Sequence, residues 1–292
     1  MPYRMEKKLL FIFENHSENN ISPVIPKTKK SRFVPGCVKW IAIIFALAIT
    51  TKFILHLLFP RDVKASGEMV TLKLAGGPFN VPYYCAVEQP KGILILGTGD
   101  GGWSYWEENV AKHLMKEGFA IGGWDCRKFA DSRTYDHAQL CAGFEAAVAA
   151  VRERCDPEAQ LPVWYGGWST GADQSVAAAI SVNRPPNLVG LLLAAPGTRG
   201  RYGITSSDML GITPEGPDTF SLAELAPKLG GIDVIQFIAG LDPMDDQEFL
   251  ASYTGPKLML KLPGLMHDMG GAGPEFLKKV DQAIEWSLRT KQ

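Results

Sequence analysis

The segment Gly167-Trp168-Ser169-Thr170-Gly171 has the G-x-S-x-G spacing of an activated serine. It follows the apolar run LPVWYG and precedes the helix-like run ADQSVAAAI, the strand–turn–helix setting that a nucleophile elbow requires. The flanking glycines permit a tight turn that strains and exposes the serine. The following helix would offer the Thr170 N–H to an oxyanion. The pattern therefore predicts a nucleophilic Ser169, with a serine in an ordinary strand–helix turn as the alternative.

A catalytic serine needs a histidine and a carboxylate, and chain order indicates which ones. His267 is the histidine that follows Ser169, and it lies in the loop after the last apolar strand. Asp242 comes directly after the strand-like run 234–239, where the order Ser…Asp…His places the acid. We predict His267 as the general base and Asp242 as the group that fixes its tautomer. The rival carboxylates are Asp245, Asp246 and Asp268.

The glycine-rich loop Gly97–Trp103 follows the first apolar strand of the repeating pattern. Beside a nucleophile elbow this loop supplies the second oxyanion N–H, and Thr98 and Gly99 are the candidates. Asp100 is either a turn residue or a partner for a substrate ammonium. The loop also spells G-x-G-x-x-G, and Asp125 ends the next strand, as in a dinucleotide fingerprint. That alternative leaves the ordered Ser, Asp and His unexplained.

From residue 92 onward, apolar strand-like runs alternate with helix-like runs. This alternation predicts a mostly parallel sheet covered by helices on both faces. Together with the elbow at Ser169 and the chain order Ser, Asp, His, it predicts an α/β-hydrolase fold over residues 66–292. Two earlier runs, 69–74 and 81–87, predict an antiparallel hairpin turned at Gly76-Gly77. The long stretch 198–231 is rich in Gly and Pro, and it predicts a small lid or cap insertion.

Residues 1–60 differ from the rest of the chain in charge and hydrophobicity. Residues 1–39 contain eight basic and three acidic side chains, and residues 40–60 are nearly all apolar. This pairing predicts a basic cytoplasmic arm and a transmembrane signal anchor, or a signal-peptide core cleaved after Val63-Lys64-Ala65. A core helix of a soluble protein is the third alternative. The first two place the domain across the membrane from the arm.

Composition excludes several function classes. Residues 66–292 carry 19 basic and 27 acidic side chains, so nucleic acid is not an expected partner. The five cysteines form no C-x-x-C pair and lie at no zinc-like spacing from a histidine, so no metal or cofactor is predicted. The four in the domain are either buried free thiols or, if exported, disulfide partners.

Four stretches of the chain carry a family resemblance: Leu96–Trp103, Gly122–Asp125, Phe129–Thr134 and Gly167–Asp173. On these stretches the chain resembles the VirJ/AcvB family of bacterial exported α/β hydrolases. The elbow departs from the family at Trp168 and Thr170, where we expect Tyr and Phe, and the Arg133 region lacks an expected aromatic-Trp pair.

The resemblance implies a virulence-associated periplasmic hydrolase held at the inner membrane, with a secretion-system protein as a possible partner. It implies that Ser169 attacks the aminoacyl ester of an aminoacyl-phosphatidylglycerol, while Asp100 or Asp173 meets the substrate ammonium. Trp103 and Trp168 join these two as expected substrate-binding residues. The alternatives are a generic periplasmic carboxylesterase or lipase and a non-catalytic binding module with a hydrolase fold.

Overall fold

The computed structural model describes residues 63–158, 160–242 and 247–289, together with Trp40 and Ile44. The chain forms two units, residues 1–54 and 55–292, and every element named below belongs to the second. The expected arm, nearly all of the expected anchor and the rival acids Asp245 and Asp246 lie outside the described residues. No helix in the described ranges combines the length and the apolar character needed to cross a bilayer.

Eight strands form one sheet in the order β1-β2-β4-β3-β5-β6-β9-β10. β1 and β2 pair antiparallel, β2 joins β4 antiparallel, and all other neighbours in the sheet are parallel. The remaining two strands, β7 and β8, form a small antiparallel pair of their own. The strands are β1 Glu68–Leu74, β2 Gly77–Tyr84, β3 Ile93–Gly97, β4 Ala120–Trp124, β5 Val163–Trp168, β6 Leu188–Ala194, β7 Arg199–Arg201, β8 Thr219–Ser221, β9 Asp233–Ala239 and β10 Lys257–Leu262.

Helices connect the parallel strands and cover both faces of the sheet. Two of them, α1 and α3, begin with capping boxes, formed by Ser104 with Glu107 and by Asp136 with Gln139. The helices are α1 Tyr105–Lys116, α2 Cys126–Ser132, α3 His137–Cys155, α4 Thr170–Ala179, α5 Leu222–Leu225, α6 Glu248–Ser252, α7 Met269–Ala272 and α8 Pro274–Arg289.

The predicted fold class is confirmed, and the hairpin differs from prediction in one strand. β2 begins at Gly77, immediately after a two-residue turn formed by Ala75 and Gly76, and it ends at Tyr84. The sequence favoured a later strand because Gly77 and Pro78 are strand-breaking residue types. Here Gly77 has a positive φ of 111° at the turn, and Pro78 pairs with Lys73 across the ladder.

The insertion 198–231 is more ordered than a loop. Its second half, from β8 through α5, packs into the core through Phe220, Leu222 and Leu225. The exposed part is therefore the shorter span between β7 and β8, which includes a 3-10 turn at Asp208–Leu210. A lid role for the whole stretch stays a prediction.

Two aromatic clusters fill the core, one on each face of the sheet. On one face Trp124 packs against Phe79, Phe129 and Phe144, with ring centroids 4.5 to 5.2 Å apart.

The four described cysteines carry free thiols, with Cys126 and Cys141 buried and Cys85 and Cys155 half-buried.

Helix α3 approaches this cluster so closely that a side chain is excluded at Gly143. A Cβ there would lie 2.3 Å from Cη2 of Trp124. We expect Gly143→Ala to lower the free energy of unfolding by about 2 kcal/mol through overpacking. In a Trp124→Phe background the colliding atoms are gone, so the same change should cost close to nothing. Denaturant unfolding of the four proteins of this cycle measures the difference. An equal cost in both backgrounds would contradict the contact.

Candidate active site

Ser169 occupies a strained turn between β5 and α4. Its φ of 53° and ψ of −120° lie in a region that non-glycine residues rarely adopt, at a cost of roughly 1–3 kcal/mol. The Ser169 N–H donates to Ala194 O at 2.9 Å, and the Ser169 carbonyl accepts from the N–H groups of Ala172 and Asp173. The surrounding backbone therefore holds the serine in this conformation.

The glycines of the motif are required by close approach to strand β3. A Cβ at Gly171 would lie 2.3 Å from the carbonyl carbon of Gly97, and one at Gly167 would lie 2.4 Å from the Gly97 oxygen. Real Cβ atoms do not make such contacts. Three glycines on two strands and one helix therefore set how near the first turn of α4 comes to the sheet.

Asp242 and His267 meet at the carboxyl edge of the sheet. Nδ1 of His267 lies 2.7 Å from Oδ2 of Asp242. The Asp242 side chain is 2% exposed and that of His267 is 35% exposed, so the carboxylate is shielded while the ring reaches solvent. Asp268, one of the rivals, instead accepts from the Gly270 N–H in its own loop.

Trp168 links the loop of His267 to the turn that carries Ser169. Its Nε1–H donates to the His267 carbonyl at 2.7 Å, and the two rings lie 5.7 Å apart. On its other side the indole stacks on Trp106. Within the described residues the Ser169 hydroxyl makes no hydrogen bond, and Trp168 is the residue that contacts both the turn and the histidine loop. A hydrogen bond between a serine and its histidine base often tightens only when substrate is present.

The two N–H groups predicted for the oxyanion are already engaged. Thr98 N–H donates to Trp124 O at 3.0 Å, and Gly99 N–H donates to Glu107 Oε1 at 3.3 Å. In this structure both N–H groups therefore bond within the protein, and a role for Thr98 and Gly99 as oxyanion donors stays a prediction. The next residue, Asp100, has an N–H without a hydrogen-bond partner among the described residues, and it becomes the candidate. Thr170 keeps its predicted place as the first residue of α4, where its N–H has no intrahelical partner.

Glu107 is the residue of this site that the functional prediction missed. Its carboxylate is fully buried beneath the loop and accepts from Gly99 N–H, from Ser104 N–H at 2.9 Å and from the Ser104 hydroxyl at 2.5 Å. Burial raises the pKa of Glu107 to about 7, despite these hydrogen bonds. The S-x-x-E spacing of the capping box was the sequence signal that could have pointed to it.

Two predicted substrate-binding residues are part of the protein's own packing. Trp103 is buried against Tyr84, and its Nε1–H donates to Glu108 at 3.0 Å. Asp173 is buried and accepts from the Gly197 N–H at 2.9 Å, which fixes the start of the insertion. A substrate-binding role for these two residues stays a prediction. Asp100 and Trp168 remain partly exposed beside the site.

Asp125, the acid of the dinucleotide-like pattern, has a structural role in the fold. It is buried, caps α2 by accepting from the Lys128 N–H at 2.9 Å, and accepts from the Trp103 N–H at 3.4 Å. Its carboxylate therefore ties the glycine-rich loop to the next strand. A ribose-binding acid would have to point outward.

Comparison with known proteins supports the fold class at low sequence identity. No protein-family model matches the sequence, and no curated protein matches it either. Among solved structures, DcsB in complex with its substrate analogue is 17% identical, with a TM-score of 0.59 over 77% of this chain and 99% of that one. A soluble variant of monoglyceride lipase from Saccharomyces cerevisiae is 15% identical, with a TM-score of 0.56 over 78% and 98%. An esterase domain from a Rhodothermus marinus protein is 14% identical, with a TM-score of 0.55 over 76% and 98%. The chain has the α/β-hydrolase fold.

Protonation of Glu107 gives a testable dependence of stability on pH. Its pKa is raised from the ordinary value of 4.5 to about 7, so the folded protein keeps a proton that the unfolded chain loses. The stabilisation is complete below pH 4.5 and is lost as the pH rises through 7, a fall of roughly 3 kcal/mol. Glu107→Gln should remove this fall, measured by denaturant unfolding from pH 5 to 8. The exposed Glu117→Gln is the control and should keep the wild-type slope. Parallel profiles for wild type and Glu107→Gln would contradict the assignment.

Proposed function

We propose that this protein is a serine hydrolase that cleaves a carboxylic ester, with Ser169 as nucleophile, His267 as base and Asp242 as its orienting acid. The observation that carries the proposal is the 2.7 Å contact between His267 Nδ1 and a buried Asp242 carboxylate, at the sheet edge where Ser169 is held in a strained turn. The hydrogen bond to Nδ1 leaves Nε2 free to accept the serine proton.

The reaction follows from these positions. Ser169 Oγ attacks the ester carbonyl as its proton passes to His267 Nε2, and the protonated ring is stabilised by Asp242. The oxyanion that forms is stabilised by the N–H groups of Thr170 and Asp100. His267 then gives the proton to the departing alcohol. A water molecule, deprotonated by the same ring, releases the acyl group from Ser169.

The proposed substrate is the aminoacyl ester of an aminoacyl-phosphatidylglycerol. The resemblance to the VirJ/AcvB family supports it, and so does the partly exposed Asp100, whose carboxylate is carried by the residue that also offers the oxyanion N–H. An acidic domain is compatible with a cationic headgroup. The proposal includes export, with residues 40–60 holding the enzyme at the bacterial inner membrane.

The nucleophile is tested with a fluorophosphonate probe, which labels only activated serines. We expect covalent labelling of the wild-type chain and its loss in Ser169→Ala. Ser252→Ala, at an exposed serine of α6, is the matched control and should label like the wild type. Mass spectrometry locates the adduct. A folded wild-type protein that does not label would favour the non-catalytic binding module.

The ammonium partner is tested by a change of specificity. Asp100→Asn keeps the backbone N–H and removes the carboxylate charge. The ratio of kcat/KM for an aminoacyl ester to kcat/KM for a neutral short-chain ester should fall roughly tenfold, equal to about 1.4 kcal/mol. Steady-state kinetics on both substrates measure this ratio. An unchanged ratio would favour the generic carboxylesterase or lipase.

A further inference from the structure

Five exposed apolar side chains lie in loops at the carboxyl edge of the sheet, the edge that also carries the candidate active site. Leu241 precedes Asp242 and Met266 precedes His267, both in loops at the carboxyl edge of the sheet. The insertion contributes three more around its 3-10 turn. We call the five residues the apolar rim, and they are 42% to 65% exposed: Met209, Leu210, Ile212, Leu241 and Met266.

The insertion lies at the same edge of the sheet as the two triad loops. Arg127, near the start of α2, places Nη1 3.2 Å from Sδ of Met209. Helix α2 begins directly after the carboxyl end of β4. The Cβ of Arg127 lies 3.3 Å from the point where a Cβ would be placed at Gly102 in the glycine-rich loop. The rim residues of the insertion therefore face outward beside the candidate oxyanion loop.

The chain enters the domain at this edge too. Val63 N–H donates to Trp103 O at 3.1 Å, and the Ser66 N–H donates to Glu108 Oε2 at 3.3 Å. Burial acts to raise the pKa of Glu108, but hydrogen bonds from Ser66, Tyr84 and Trp103 outweigh it and lower the pKa to about 2. An ionised carboxylate therefore fixes the first described residues to the loop that follows β3.

The apolar sequence 40–59 ends only four residues before Val63. Four residues span at most about 14 Å. A bilayer crossed by that sequence would therefore lie within about 14 Å of Val63. The Val63 N–H donates to the Trp103 carbonyl, at the edge that carries the rim.

We propose that the active-site edge docks on the surface of a lipid bilayer through the apolar rim. The proposal rests on the anchor in the proposed function and adds to it an orientation and a set of contact residues. A lipid surface suits the rim because apolar side chains bordered by polar ones bind at the headgroup boundary. The substrate is then an ester in the headgroup region, presented to Ser169 while its acyl chains stay in the membrane.

Photo-crosslinking tests the orientation on the full chain in phosphatidylglycerol–phosphatidylcholine liposomes. A benzophenone amino acid is placed at position 210, at position 266 or, as the control, at position 182. Val182 is also apolar and 97% exposed, but it follows α4 at the opposite edge of the sheet. We expect lipid adducts at positions 210 and 266 in at least tenfold higher yield than at 182 (about 1.4 kcal/mol of preference).

Three outcomes overturn the proposal: equal lipid yields at all positions, no lipid adduct at 210 and 266, or adducts there to a second copy of the chain. The crosslinking is repeated in Ser169→Ala, where the same yields are expected because docking does not need the nucleophile. Failure of the catalytic proposal shows instead as absent fluorophosphonate labelling, so the two failures are distinguishable.

A second measurement compares substitutions in the rim and outside it. Leu210→Glu combined with Ile212→Glu should lower hydrolysis of the lipid ester in liposomes about tenfold relative to hydrolysis of a soluble ester by the same variant. Val182→Glu should leave both rates at the wild-type level. An unchanged ratio for the rim variant would contradict docking through these side chains.

Discussion

The backbone contact among Gly97, Gly167 and Gly171 determines the geometry of this site. These glycines bring the first turn of α4 against the end of β3, with no room for a single methyl group between them. The strained conformation of Ser169 follows from that approach, because a looser packing would let the turn relax. The same close approach places the N–H groups at the start of α4 near those of the loop after β3.

Two adjacent carboxylates then fix the loop after β3. Glu107 holds Gly99 and Ser104 from beneath, and Glu108 holds Trp103 together with the first described residues of the domain. Their pKa values are shifted in opposite directions, to about 7 for Glu107 and to about 2 for Glu108. The first has only neutral donors and little solvent, whereas Lys112 also lies 3.0 Å from the second.

The sequence predicted what depends on local pattern and chain order. The strand–helix alternation gave the sheet, and G-x-S-x-G with its setting gave the turn at Ser169. Chain order predicted that Asp242 and His267 lie together, although their loops follow different strands. The oxyanion donors could not be predicted this way. Whether the N–H groups of Thr98 and Gly99 are free depends on hydrogen bonds to Trp124 at the end of β4 and to Glu107. The burial of Trp103 and Asp173 could not be predicted for a related reason, since a motif does not reveal which of its side chains point into the core.

The hydrogen bond from Trp168 to the His267 carbonyl ties the loop of the proposed base to the turn of the proposed nucleophile. Ser169 and His267 are 98 residues apart along the chain, and their relative positions would otherwise depend on three strands of the main sheet and a long insertion. Through Trp168 the histidine loop is attached to the residue next to Ser169. A displacement of the turn therefore carries the histidine loop with it, so that the insertion can vary in length or conformation while the relative placement of serine and histidine is kept.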